Sequence, residues 1–181
     1  MRIGLAGVAV ACVVAPTSAF AVEYLSAEQA ARLMFPDADR FEARDVVFDA
    51  AQLQAMAARG VGARSARWQV TIARHGGAAL GYVVTDSVVG KFELIGYAVG
   101  INLAGAVTQI EILSYRESHG GEIRLPAWRR QFAGKTTESP IRVGEDIANI
   151  SGATLSCTHV TDGVRRIVAV VQTAVKNGSL G

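Results

Sequence analysis

The sequence predicts an α+β fold: a single domain in which an antiparallel meander sheet packs with helices and a long C-terminal helix ends the chain. Three observations predict it. The apolar period changes from helical to alternating near Trp68, strand-like segments then follow one another through short connections, and a long helical pattern comes last. Consecutive strands joined by short loops pair antiparallel, whereas parallel strands need a crossover between them. No internal repeat or low-complexity linker divides the chain.

Ser26 with Gln29 has capping-box spacing and opens a short amphipathic helix that ends near Phe35-Pro36. Phe41 to Phe48 reads as a strand. Asp49 with Gln52 repeats the capping arrangement for a second helix, which Gly60-Val61-Gly62 ends. Trp68, Val70 and Ile72 then alternate with polar residues, and His75-Gly76-Gly77 supplies a turn. Leu80–Thr85, Phe92–Ile101 and Val107–Leu113 continue the strands, with Asn102–Gly105 as a hairpin connection. Pro126 starts a helical turn through Phe132. The last helix is expected from Thr158 to Lys176, with Ile167, Val168, Val171 and Val175 as core positions and Gly178 closing it.

Residues 1–21 have the form of a secretory signal peptide. Met1-Arg2 gives a positive start, Ile3 to Ala15 is apolar, and Ala19-Phe20-Ala21 fits a small-x-small cleavage site. The apolar run of about thirteen residues falls short of the ~20 that span a bilayer. Export is therefore expected, to the periplasm or the extracytoplasmic face of a membrane. Residues 22–66 then form an N-terminal extension, compact with a main region at 67–181.

The formal net charge of +2 includes Arg2, so the chain carries no basic footprint for nucleic acid. Cys157 is the one cysteine after Ala21, which excludes an intrachain disulfide in the mature chain. One cysteine and three scattered histidines do not build an iron–sulfur cluster, and no C-x-x-C-H haem attachment pattern occurs. His75, His119 and His159 have no metal-ligand spacing. Ser156 and His159 lie outside any G-x-S-x-G elbow, and neither GxGxxG nor a P-loop is present. No catalytic residue is assigned. A redox centre in this chain would have to be a borrowed cofactor.

The segment that carries chemistry is Ser151-Gly152-Ala153-Thr154-Leu155-Ser156, just before the last helix. Small residues let a bulky group approach the backbone, and a helix start offers unpaired N–H groups and a positive dipole end to a phosphate. From the residues alone, the hydroxyls read either as phosphate partners or as helix caps. This run resembles the flavinylation motif of the FMN-binding domain family, whose members serve in the sodium-translocating NADH:quinone reductase and in the Rnf electron-transport complex. Tyr115-Arg116-Glu117-Ser118-His119-Gly120-Gly121-Glu122-Ile123 is similar to the family's Glu-Ser/Thr-x-Gly loop. The hairpin from Gly90 to Leu113, Trp128, Gln131-Phe132 and Gly134-Lys135 also resemble it, within a similarity running from Arg67 to Thr173.

The resemblance implies FMN joined through its phosphate to Thr154 by a flavin transferase, in a stand-alone exported member serving membrane-associated redox partner proteins. It also implies a cofactor site made of Thr154, Ser151, Gly152, Ala153, Leu155, Ser156, Glu117, Ser118 and Gly120. The sequence departs at Ala148, where many members carry Asp; Asp146 and Asn149 lie nearby. That departure keeps a second expectation open, a redox-inert binding or assembly module. Several residues keep two readings. Glu117 holds its loop or sits near the flavin, and Gly120-Gly121 admits the ring or forms a tight turn. Trp128 and Phe132, four apart, pack in the core or stack on the ring. Lys135 reads as a solvated cation, and Cys157 as a packing group or as a thiol acidified by the helix start.

Overall fold

In a computed structural model, residues 24–180 are described; the signal-peptide expectation for 1–21 lies outside them. Both capping boxes form. Ser26 opens α1 (Ala27–Met34) and Asp49 opens α2 (Ala50–Ala58), each side chain accepting from the backbone N–H three residues on. The strands are β1 (Arg40–Val47), β2 (Arg67–His75), β3 (Ala78–Val89), β4 (Leu94–Asn102) and β5 (Val107–Ser114). They form one five-stranded sheet in sequence order, antiparallel throughout. This is the expected meander.

β1, β4 and β5 shift by one or two residues at their ends and β3 is longer at both ends; the largest departures lie between β3 and β4. β3 runs past Thr85 to Val89 because its register with β4 continues to Val89 opposite Leu94. β4 therefore starts at Leu94, and Phe92 lies in the connection, 74% exposed. The backbone amides of Phe92 and Glu93 go to a side chain instead of a ladder partner, which takes both residues out of the strand.

After β5 come a 3₁₀ turn (Gly121–Arg124), the short helix α3 (Pro126–Arg129) and a second 3₁₀ turn (Arg130–Phe132). An irregular stretch leads from there to α4 (Thr154–Lys176). Alternation along the strands divides the core into two layers. Ile72, Tyr82, Val84, Tyr97, Val99, Ile101 and Ile110 face α4, with Val160, Val164, Ile167, Val168 and Val171 opposite them. Ala73, Val83 and Ala98 point the other way and are covered by Ala30, Ala31 and Met34 of α1. Gly163 lets α4 approach the sheet: a Cβ there would overlap the Tyr97 hydroxyl. Tyr97 is fully buried and donates to Asp86 Oδ2 at 3.1 Å; burial first, then the Asp86 charge, raises its pKa.

Ile167, Val168 and Val171 are core residues, whereas Val175 is 42% exposed although its neighbour Ala174 is fully buried. Among the described residues no helix is long and apolar enough to cross a membrane.

Candidate functional site

At the site, α4 begins earlier than the sequence predicts. The helix starts at Thr154, four residues before Thr158, with Ala153 at the N-cap and no side-chain capping bond. Ser151 and Ser156 are therefore not its caps. Buried Ala153, Ser156, Cys157 and Val160 draw the first turn onto the core, so helical backbone begins inside the motif itself. Gly152 makes the entry turn with φ +81°. Ser151, Thr154 and Leu155 stay exposed, and an uncapped helix start presents free N–H groups at that point.

Three segments meet there around a cavity of about 460 Å³. Lys91 and Phe92 come from the β3–β4 connection, Glu117, Ser118 and His119 from the loop after β5, and Gly152 through Ser156 from the motif. The structure thus gathers most of the expected residues at one place. Ser151 and Gly120 stand beside the cavity without lining it.

Glu117 ties two of the segments together. Its Oε1 accepts from Phe92 N at 2.7 Å and from Glu93 N at 3.0 Å. Burial pushes its pKa up, but the backbone N–H groups of Glu93, Phe92 and Lys91 outweigh it and hold the carboxyl below its ordinary value. Glu117 both holds the loop and lines the cavity. Gly90 must be small here, since a Cβ would fall 2.5 Å from Glu117 Oε1.

Gly120 joins the loop to α4. Its φ is +83°, and a Cβ would overlap that of Ala153, so this glycine serves close packing of protein on protein. Tyr115 reinforces the junction: its hydroxyl donates to the His119 carbonyl and lies 3.4 Å from Ser156 Oγ. Burial raises the Tyr115 pKa. Ser156 lines the cavity floor but is 3% exposed.

The residues downstream of β5 brace the approach to the motif. Trp128 Nε1 donates to the Ala148 carbonyl at 2.8 Å, and Ala148 N donates to Gln131 Oε1 at 2.8 Å. Trp128 and Phe132 are buried, with rings edge to face at 5.1 Å, and neither lines the cavity. The core reading of this pair holds. Lys135 is not a solvated cation: its Nζ lies 2.6 Å from Asp146 Oδ2, with both side chains at 20% exposure or less. Asp146 also accepts from Ile141 N and Arg142 N. Burial opposes ionisation, yet Lys135 and these two N–H donors keep the Asp146 pKa below the ordinary carboxylate value.

Cys157 is fully buried, and burial raises its pKa despite the helix start. It is a packing residue. His119 Nδ1 meets Ser118 Oγ at 2.9 Å, and His159 Nδ1 meets the Val89 carbonyl at 2.6 Å.

Lys91, His119 and Asn149 belong to the site's surroundings although the sequence reading assigns them no place there, and Phe92 lies outside the strand expected to hold it. Gly90-Lys91, between the strand patterns ending at Thr85 and starting at Phe92, is the local sequence signal for that connection.

The donor set fits FMN. An exposed Thr hydroxyl stands at an uncapped helix start, where a phosphate is held by N–H groups. The exposed apolar faces of Phe92 and Leu155 border a cavity within the size range of small-molecule sites.

Comparison with known proteins agrees. Residues 90–169 match the family model of the FMN-binding domain. No curated protein sequence matches the chain. The fold is similar to the crystal structure of Shewanella oneidensis NqrC, with TM-score 0.52, 14% identity, and 81% of this chain and 86% of that one covered. It is also similar to the corresponding subunit of the Na(+)-translocating NADH-quinone reductase from Parabacteroides distasonis, with TM-score 0.53, 16% identity, and coverages of 79% and 81%. The site lies within the matched residues, and the chain carries an FMN-binding domain on a fold that resembles NqrC.

Proposed function

We propose that this chain is an exported flavoprotein that carries electrons through FMN joined by a phosphoester to Thr154. The observation that supports it best is the placement of Thr154. Its exposed hydroxyl begins the uncapped α4 at a cavity within the FMN-binding domain. Bound FMN accepts and donates electrons at its ring. The chain's residues do the positioning. The α4 N–H groups hold phosphate charge, Gly152 permits the entry turn, and Phe92 and Leu155 offer apolar surface to the ring. Glu117 keeps the Phe92 connection in place. A phosphoester leaves the ring unaltered and prevents loss of the cofactor outside the cytoplasm. A flavin transferase would attach it, and membrane-associated redox proteins would exchange electrons with it.

The test is mass spectrometry and in-gel fluorescence of protein exported from a host that has a flavin transferase. One FMN is expected on the Thr154 peptide, and Thr154→Val should abolish fluorescence while leaving the fold intact. Covalent fluorescence persisting in Thr154→Val would refute the attachment. N-terminal sequencing should give Val22. Ala148, in place of the Asp of many family members, favours the second reading, a redox-inert assembly module. An exported protein that never acquires visible flavin absorbance would select it.

A further inference from the structure

Asn149 is exposed, lies two residues before Ser151, and donates from Nδ2 to Thr154 Oγ1 at 3.1 Å. We propose that Asn149 is the positioning residue that aims the Thr154 hydroxyl for modification, an inference that rests on reading Thr154 as the flavin acceptor.

A threonine in a helix divides between χ1 rotamers, because its hydroxyl competes for nearby backbone carbonyls. The Asn149 amide selects the rotamer that keeps Oγ1 on its own side of the helix start. The polarity of the bond matters as much as its direction. An amide N–H can only donate, so Oγ1 accepts and its hydrogen stays available for removal. As that hydrogen leaves, oxygen gains charge, and a hydrogen bond to a charged acceptor strengthens. Asn149 therefore favours the alkoxide-like oxygen that attacks phosphorus.

The amide is presented from a fixed segment. The neighbouring Ala148 is held at both backbone groups, by Trp128 Nε1 and Gln131 Oε1. The methyl of Ala148 offers no polar atom for this task, and the Asp146 carboxylate is engaged with Lys135, Ile141 N and Arg142 N. Asn149 is the side chain seen to contact the Thr154 hydroxyl.

In the reaction served, Oγ1 bonds to the flavin-side phosphorus of a flavin dinucleotide. The pyrophosphate P–O bond breaks, and a nucleoside monophosphate leaves with the bonding pair. The hydroxyl proton passes to the transferase or to solvent. No oxidation or reduction occurs.

The experiment follows covalent fluorescence over time in purified apo-protein mixed with a flavin transferase and FAD. Asn149→Ala should slow labelling about tenfold at saturating transferase, the rate equivalent of one hydrogen bond to a developing charge. Its KM for the apo-protein and its melting temperature should be unchanged, because the side chain is exposed. Asn149→Asp should be slower still at about pH 8, where an ionised carboxylate accepts from the hydroxyl and repels phosphate. Its rate relative to wild type should rise as pH falls towards about 5, as the carboxyl begins to protonate. A purely structural role would not produce that pH dependence. Labelling of Asn149→Ala at the wild-type rate, or a pH-independent ratio for Asn149→Asp, would overturn the proposal. Failure of the wild type to label, or labelling of Thr154→Val, would instead overturn the attachment reading on which it rests.

Discussion

Asp146 shows how one side chain organises the approach to the site. Its carboxylate joins Lys135 to the backbone of Ile141 and Arg142, and Ile141 is fully buried with φ +45°, a conformation that branched residues seldom adopt. The ion pair and two N–H bonds offset that strain. Because the folded pKa of Asp146 is depressed, its contribution to stability is fully present above the unfolded value of about 3.9 and is lost as pH falls through the lower folded value. Asp146→Asn should therefore lower the melting temperature at neutral pH. The difference from wild type should shrink on acidification below about pH 4, which thermal denaturation across pH would measure. Cys157 offers a second residue-scale check. Its buried, raised-pKa thiol should resist a thiol-specific reagent in the native protein and react only on unfolding.

At the scale of elements, α4 does two jobs. Its first turn supplies Thr154 and its middle seals the sheet, where Gly163 leaves no room for a Cβ against Tyr97. Gly163→Ala should cost about 1–3 kcal/mol by overpacking. Tyr97→Phe in the same chain should recover part of the loss by removing the overlapping hydroxyl. Chemical denaturation of the single and double variants would give the coupling directly. The junction at Gly120 and Ala153 works on the same principle at the start of the helix, where the Ala153 methyl leaves no room for a Cβ on Gly120.

The molecule as a whole separates its tasks by sheet face. α1 covers Ala73, Val83 and Ala98 on one side, while α4 and the site's loops belong to the other layer. Met34→Ala, a buried truncation under α1, should lose about 2–4 kcal/mol by cavity formation. The rate of the FMN attachment proposed at Thr154 should not change at a temperature where the variant remains folded. A large fall in attachment would show that the two faces are coupled.

Periodicity and local chemistry carried much of this fold into the sequence. Both capping boxes, the meander and the burial of Trp128 and Phe132 depend on residues a few positions apart, whose spacing states their geometry. The Ser-Gly-Ala-Thr run and the Glu117 loop were also legible, through resemblance to a family. What the sequence did not determine was contact across distance. The cavity needs Phe92, Glu117 and Thr154 together, and the first two meet only because antiparallel pairing brings the end of β5 beside the start of β4. The start of α4 at Thr154 was decided by burial of Ser156 and Cys157, which outweighed the loop character of the motif. Lys135 looked solvated until the fold set Asp146 against it. Local propensity chose the elements, and the tertiary packing of side chains far apart in the chain decided what stands around Thr154.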